Sequence, residues 1–136
     1  MKYLFTPIDV LSLPNDFTVK SQWSVSAGTG ETLYFQLQVD DSLGLRRYIP
    51  GASDTVKLVF MRARSSTLGV ADTAQTFEVS CIANTQDRSL WSCTLTAAQV
   101  NLLISGTVQM KLTSGTTVYT YNRSYAIKKI VTDTGC

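Results

Sequence analysis

The chain has 136 residues, 44% of them hydrophobic and 16% charged, with twelve basic and ten acidic side chains giving a net charge of +2. Such a chain is one domain, too apolar for a disordered segment and too weakly basic to imply nucleic acid. A domain of this size buries roughly 65–70% of its extended surface, enough for a core without metals or disulfides.

In chain order, residues 1–16 are expected to be an irregular or briefly extended arm. Pro7 and Pro14 remove backbone donors. Leu4, Phe5, Ile8, Val10, Leu11 and Leu13 still need shelter, either along the same domain or against another subunit. The opening segment lacks the long apolar stretch of a secretory leader, and no run of 18 apolar residues marks a membrane span.

Residues 17–26 favour a strand, with Phe17, Val19, Trp23 and Val25 on one parity, and Gly28-Thr29-Gly30 reads as a turn. Residues 31–39 give the clearest strand. Leu33, Phe35, Leu37 and Val39 alternate with Thr32, Gln36 and Gln38, the pattern of a sheet with one face on a core and one in water. Asp40 to Gly44 is a turn, Leu45 to Ile49 is extended, and Pro50-Gly51 punctuates the chain. Residues 55–64 form a strand with Val56, Leu58 and Phe60 inward and an unusually apolar second face at Val59 and Met61.

After a polar loop at 65–75, Phe77, Val79 and Cys81 form one arm of a hairpin whose return strand carries Trp91, Cys93 and Leu95 inward. Cys81 and Cys93 read as core residues on one hairpin face, a free pair or, if Cα separation and Cβ direction allow, a disulfide, and Cys136 as terminal and exposed. Thr96-Ala-Ala-Gln99 fits a capping box, so a short helix near residues 97–104 is expected, with Val100, Leu103 and Ile104 inward and Gly106 as its stop. Residues 107–113 alternate with Val108, Met110 and Leu112 inward. A long last strand, 116–131, places Tyr119, Tyr121, Tyr125 and Ile127 on one parity, interrupted by Arg123. Residues 132–136 are a polar tail.

Six to eight strands and one short helix point to an all-β fold, an antiparallel immunoglobulin-like β-sandwich over residues 17–131, with a small barrel as the alternative.

Chemistry-bearing patterns are scarce. The chain has no histidine, which removes the usual neutral-pH base and rules out Ser/His/Asp and Cys/His constellations within it. Asp40-Asp41 lacks the spacing of a calcium loop, no glycine-rich loop has phosphate-binding order, and the cysteines show no CxxC spacing. Asn122-Arg123-Ser124 matches a glycosylation triplet but falls inside a strand. The expectation is therefore a non-enzyme with no cofactor and no metal. Trp23 and Trp91 read as core anchors, and Tyr119, Tyr121 and Tyr125 as a core or interface stripe.

Three passages carry a family resemblance: YFQLQVDDSLGLRRYIPGASDTVKLVFMRAR at 34–64, SLWSCTLTAAQV at 89–100 and GTVQMKLTSGTTVYTYNRSYAIKKI at 106–130. A strand, a short polar turn, a Pro-Gly junction before a strand, a strand running into a capped helix and a closing hairpin resemble the N-terminal β-sandwich domain of tailed-phage baseplate upper proteins and related virion adaptor proteins. The likeness spans residues 17–131. It implies a structural adaptor assembled in the host cytoplasm, homo-oligomeric in the particle and joined to other virion structural proteins of the baseplate, collar or capsid-associated assembly. A receptor-binding extension beyond residue 131 is missing from the pattern. The partner-facing surface is expected at Tyr3, Leu4, Phe5, Ile8, Leu11 and Leu13 of the arm, with Arg46, Arg47 and Tyr48 as a second contact. A soluble module binding carbohydrate or another small ligand is the alternative from a different class.

Overall fold

A computed structural model describes residues 2–10, 17–20, 22–26, 30–62, 77–103, 106–124 and 127–130. The described residues form twelve strands and one helix in the order β1 Lys2–Val10, β2 Phe17–Val19, β3 Trp23–Ser26, β4 Glu31–Asp41, β5 Gly44–Arg47, β6 Thr55–Arg62, β7 Phe77–Ser80, β8 Ile82–Ala83, β9 Leu90–Leu95, α1 Ala97–Leu102, β10 Gly106–Ser114, β11 Thr117–Ser124 and β12 Ile127–Ile130.

Two antiparallel sheets make the layers. One is six-stranded, in the order β2-β1-β4-β9-β8, with β5 also paired to β4; the other runs β11-β10-β6-β7. The core lies between them. Phe5, Leu33, Phe35, Leu37, Trp91, Cys93 and Leu95 from the first sheet meet Val56, Leu58, Phe60, Val108, Met110 and Leu112 from the second in one buried cluster. The alternation expected for 31–39 is realised in β4, whose odd residues 33–39 are buried while the intervening positions are not. The layers are separate hydrogen-bonded sheets, so the sandwich holds over the barrel.

The chain crosses from one layer to the other at Cys81. Phe77 to Ser80 pair with β6, Ile82 and Ala83 pair with β9, and the Cys81 amide donates to the Val56 carbonyl at 2.9 Å. A strand that changes sheets in this way makes a corner of the sandwich. The capping box forms in both directions: the Gln99 amide donates to Thr96 Oγ1 at 3.2 Å and the Thr96 amide to Gln99 Oε1 at 2.9 Å. The helix delivers Val100 to the core cluster, and Leu103 follows it there from the C-cap.

Several expectations need correction. The N-terminal arm is a nine-residue strand, not an irregular segment, and β1 lies between β2 and β4 inside the larger sheet. Lys2 to Ile8 pair with Asp40 to Tyr34 in unbroken register. The domain therefore includes residues 2–10, and a boundary at residue 17 does not hold.

Pro7 is tolerated because of where its missing donor falls. Its carbonyl accepts from the Lys20 amide at 2.8 Å, so its backbone polar edge faces β2, just beyond the last β2 residue, Val19. The ladder to β4 loses nothing.

The strand expected over 17–26 is two strands with different partners. β2 pairs with β1 and leaves Val19 exposed, whereas β3 buries Trp23 and Val25 and pairs with β12. That last pairing is parallel, an exception to the antiparallel rule elsewhere. The long final strand likewise divides, into β11 and β12. Gly106 does not stop the helix. Leu103 turns to an extended conformation at the C-cap, and Gly106 opens β10 opposite Arg62. The side chains of Met61, Phe17 and Ile127, the 65–75 loop, Tyr125, Ile104 and Cys136 lie outside the described set. Among the described residues, no helix is long and apolar enough to cross a membrane.

Candidate functional site

The residues singled out from the sequence separate into two groups. Phe5 is 0% exposed and Ile8 2%, and Phe5 sits in the core with its ring 5.9 Å from Trp23 and 5.7 Å from Phe35. Leu4 is buried as well. These side chains are occupied within the chain and do not face a partner, so Leu4, Phe5 and Ile8 leave the interface set. Phe5 shares the core-facing side of β1 with Leu37 opposite it, whereas Leu4 and Ile8, opposite Gln38 and Tyr34, are buried on the other side of the sheet. Leu11 and Leu13 lie outside the described residues.

The second group converges. Tyr3 is the second residue of β1, Tyr48 follows β5 and Tyr119 lies on β11, so both layers contribute. The Tyr3 and Tyr48 ring centroids are 4.8 Å apart and those of Tyr3 and Tyr119 4.5 Å apart, within the range of favourable edge and tilted ring contacts. Further along the same seam Phe5 meets Tyr121 edge-on at 6.1 Å, and the Lys2 ammonium stands 5.3 Å from the Tyr121 ring centroid. Burial pushes the Tyr48 phenol above its usual range, with Tyr3, Asp54 and Tyr119 adding to the effect.

The turn leading into β5 projects beside this cluster. Asp41 Oδ1 accepts the Leu43 amide at 2.9 Å, fixing the turn, and Gly44 takes φ 103°, which a side chain would resist. Arg46 donates to Asp41 at 2.6 Å, and Arg47 to Asp87 at 3.3 Å from the β8–β9 turn. Both arginines are exposed, so these pairs orient the side chains more than they stabilise the fold. Asp41 is thus engaged by an arginine and a backbone amide. Leu43, Leu45 and Ile49 are 78%, 60% and 55% exposed. Among the described residues β5 pairs only with β4, which leaves its outer edge open. Sequence reasoning passed over these three apolar residues because a turn and a short strand were expected there, with no periodicity to mark a face.

A second surface was not anticipated. The outward face of the larger sheet carries the uncharged hydrogen-bonding side chains Thr6, Thr32, Tyr34, Gln36, Gln38, Ser92 and Thr94, together with the buried Leu4, Ile8 and Leu90 and with Arg47. Thr6 donates to Gln38 Oε1, and the Thr32 and Thr94 hydroxyls lie 3.2 Å apart. Tyr34 lines two depressions on this face. One, of about 270 Å³, is shared with Asn84, Thr85, Leu90, Trp91 and Ser92. The other, of about 180 Å³, includes Asp9, Lys20 and Glu31. The alternation of β4 contained the signal, in the run of neutral polar residues opposite its apolar face.

Cys81 and Cys93 are free thiols, Cys93 buried and Cys81 partly so. A hydrogen bond with Cys93 and burial push the Cys81 thiol far above its usual range, so it stays protonated. Among the described residues no group of three or more Cys, Asp or Glu is placed to hold a metal. No family model and no curated protein matches this chain.

Proposed function

We propose that the chain is a non-enzymatic structural adaptor, a virion component of the baseplate, collar or capsid-associated kind, which joins subunits through the end of its sandwich. The observation carrying this reading is the exposure of Leu43, Leu45 and Ile49 in one short stretch, next to an open strand edge and the Tyr3–Tyr48–Tyr119 cluster. Apolar side chains exposed along one short extended stretch, with Arg46, Arg47 and Tyr48 between them in sequence, have the residue types of an interface centre and its border. The open edge of β5 adds backbone donors and acceptors for a strand from another chain. The phage setting rests on the resemblance of the segments at 34–64, 89–100 and 106–130, and the immunoglobulin-like description belongs to the same reading.

The test has two arms. Sedimentation velocity of the purified chain and of the double variant Leu45→Asp, Ile49→Asp measures self-association. A wild-type oligomer dispersed by the variant, with unchanged thermal unfolding, is expected; a monomer at all concentrations overturns the homo-oligomer. Mass spectrometry of purified virus particles from the source examines the setting, and absence of the chain from them overturns the virion assignment.

A further inference from the structure

We propose that the Tyr34 depression on the outer sheet face is a binding site for a neutral sugar, separate from the assembly surface. Three strands held in fixed register contribute to it: Tyr34 on β4 stands opposite Ser92 on β9, and Ser92 stands opposite Ile82 on β8, whose neighbour Ala83 lines the depression. Side chains paired in this way share one face, so an aromatic ring, a hydroxyl and an apolar side chain lie in a row. Ile82 is 72% exposed, which leaves that row open at its far end.

The chemistry of the lining selects the ligand class. Tyr34, Asn84, Thr85, Leu90, Trp91 and Ser92 carry no formal charge, so nothing here neutralises a phosphate or a carboxylate. A wholly apolar ligand would strip water from Asn84, Thr85 and Ser92 and return no hydrogen bond. A sugar satisfies both conditions, with C–H faces for the aromatic ring and hydroxyls for the amide and hydroxyl groups. The volume of about 270 Å³ lies just below the usual span for drug-sized ligands, which suits a single sugar ring.

The groups are also held in place. Asn84 Oδ1 accepts the Gln86 amide at 2.8 Å and the Asp87 amide at 3.1 Å, so its oxygen is committed and its NH2 group is the part left to donate. The Trp91 indole N–H donates to the Arg88 carbonyl at 2.8 Å. Binding at such a site orders little that is not already ordered.

The experiment is an NMR amide-shift titration of the full chain with methyl glucoside, methyl galactoside and N-acetylglucosamine, each at up to tens of millimolar, with glucuronate as a charged comparison. Saturable shifts confined to residues 34, 82–85 and 90–92 are expected with at least one neutral sugar. Tyr34→Phe should bind as wild type, whereas Tyr34→Leu should weaken binding at least about tenfold. Asn84→Asp keeps the acceptor that holds the turn but loses the NH2 donor, and should weaken binding at unchanged melting temperature. No shift with any neutral sugar overturns the proposal, as does tighter binding of glucuronate or equal binding by Tyr34→Leu and Tyr34→Phe.

Discussion

Tyr3 and Tyr119 belong to opposite layers of the sandwich and are separated by most of the chain, yet their ring centroids lie 4.5 Å apart. With the Tyr48 ring also 4.8 Å from Tyr3, the contact closes the seam between β1 and β11 at one end of the core. Burial is the first cause of the raised Tyr48 pKa, so the phenol should ionise above its usual value of 10.0. The folded state then holds a proton that the unfolded chain has released, and unfolding becomes easier as pH rises past the unfolded value. Ultraviolet titration of the folded protein should show a late-ionising tyrosine that disappears in Tyr48→Phe and ionises earlier in Tyr3→Ala. Stability should fall with pH above about 10 less steeply in Tyr48→Phe than in wild type. Identical titration curves for wild type and Tyr48→Phe would contradict this assignment.

Removing residues 2–10 should unfold the domain, not merely trim an arm. Phe5 is completely buried between Trp23, Phe35 and Tyr121, and β1 supplies the neighbour that β4 needs along residues 34–40. Phe5→Ala alone should lower stability by about 3–5 kcal/mol, the range for an aromatic side chain deleted from a core. Urea denaturation followed by circular dichroism measures both variants. A deletion that keeps the native midpoint would return the segment to the role of an appendage.

The sequence displayed the parts of the fold whose two faces differ. β4 and β10 alternate because one side meets the core, and Thr96 and Gln99 announce a helix start by local chemistry alone. β1 was obscured by its own success in burying both faces: Leu4 and Ile8 on one side and Phe5 on the other leave no polar alternation to read. Pro7 strengthened the wrong reading, since whether a missing N–H matters depends on which neighbour it faces, here the residue just past the end of β2. The change of partner between β2 and β3, and the parallel pairing of β3 with β12, depend on contacts between distant segments. The candidate surfaces were legible at Tyr3, Tyr48, Arg46 and Arg47. At Leu43, Leu45 and Ile49 the deciding fact is exposure, which residue type alone does not supply.

Thr96→Ala should destabilise the protein by about 1 kcal/mol, the usual effect of losing an N-cap side chain. The hydroxyl accepts the Gln99 amide, and the reciprocal bond from the Thr96 amide to Gln99 Oε1 gives Gln99→Ala a smaller effect in the same direction. Because α1 spans only six residues, its helical state depends on Val100 and Leu103 being packed in the core. Val100→Ala should therefore be at least as damaging as loss of the cap. Chemical denaturation of the three variants gives the ranking, and an unaffected Thr96→Ala midpoint would deny the cap its energetic role.

Glu78 lies on the outer face of the second sheet between two lysines, 3.3 Å from Lys57 and 3.3 Å from Lys111. Their hydrogen bonds, Lys57 first, hold its carboxyl below the usual 4.5. A depressed folded-state value means that the contribution is present above the unfolded pKa and disappears as pH falls through the folded one. All three side chains are well exposed, so Glu78→Gln should lower stability at neutral pH by less than about 1 kcal/mol, and the difference should shrink in high salt. Denaturation midpoints of wild type and Glu78→Gln should converge in acid, where both carry a neutral side chain. A gap that persists in acid would assign the effect to packing, not charge.

The thiols of Cys81 and Cys93 should be inert in the folded protein. Cys93 is buried, and Cys81, at the corner where the chain changes sheets, is kept protonated by its hydrogen bond with Cys93 and by burial. The thiolate is the reacting species, so a raised pKa and poor access act in the same direction. In a Cys136→Ser background, an aromatic disulfide reagent should release almost no colour from the native protein at neutral pH, then report two thiols once the chain is unfolded. The native rate should track global opening, so that destabilising variants such as Phe5→Ala accelerate it in proportion to their loss of stability. Rapid labelling of the stable wild type would show that the sheet-crossing corner opens locally, independently of the core beneath it.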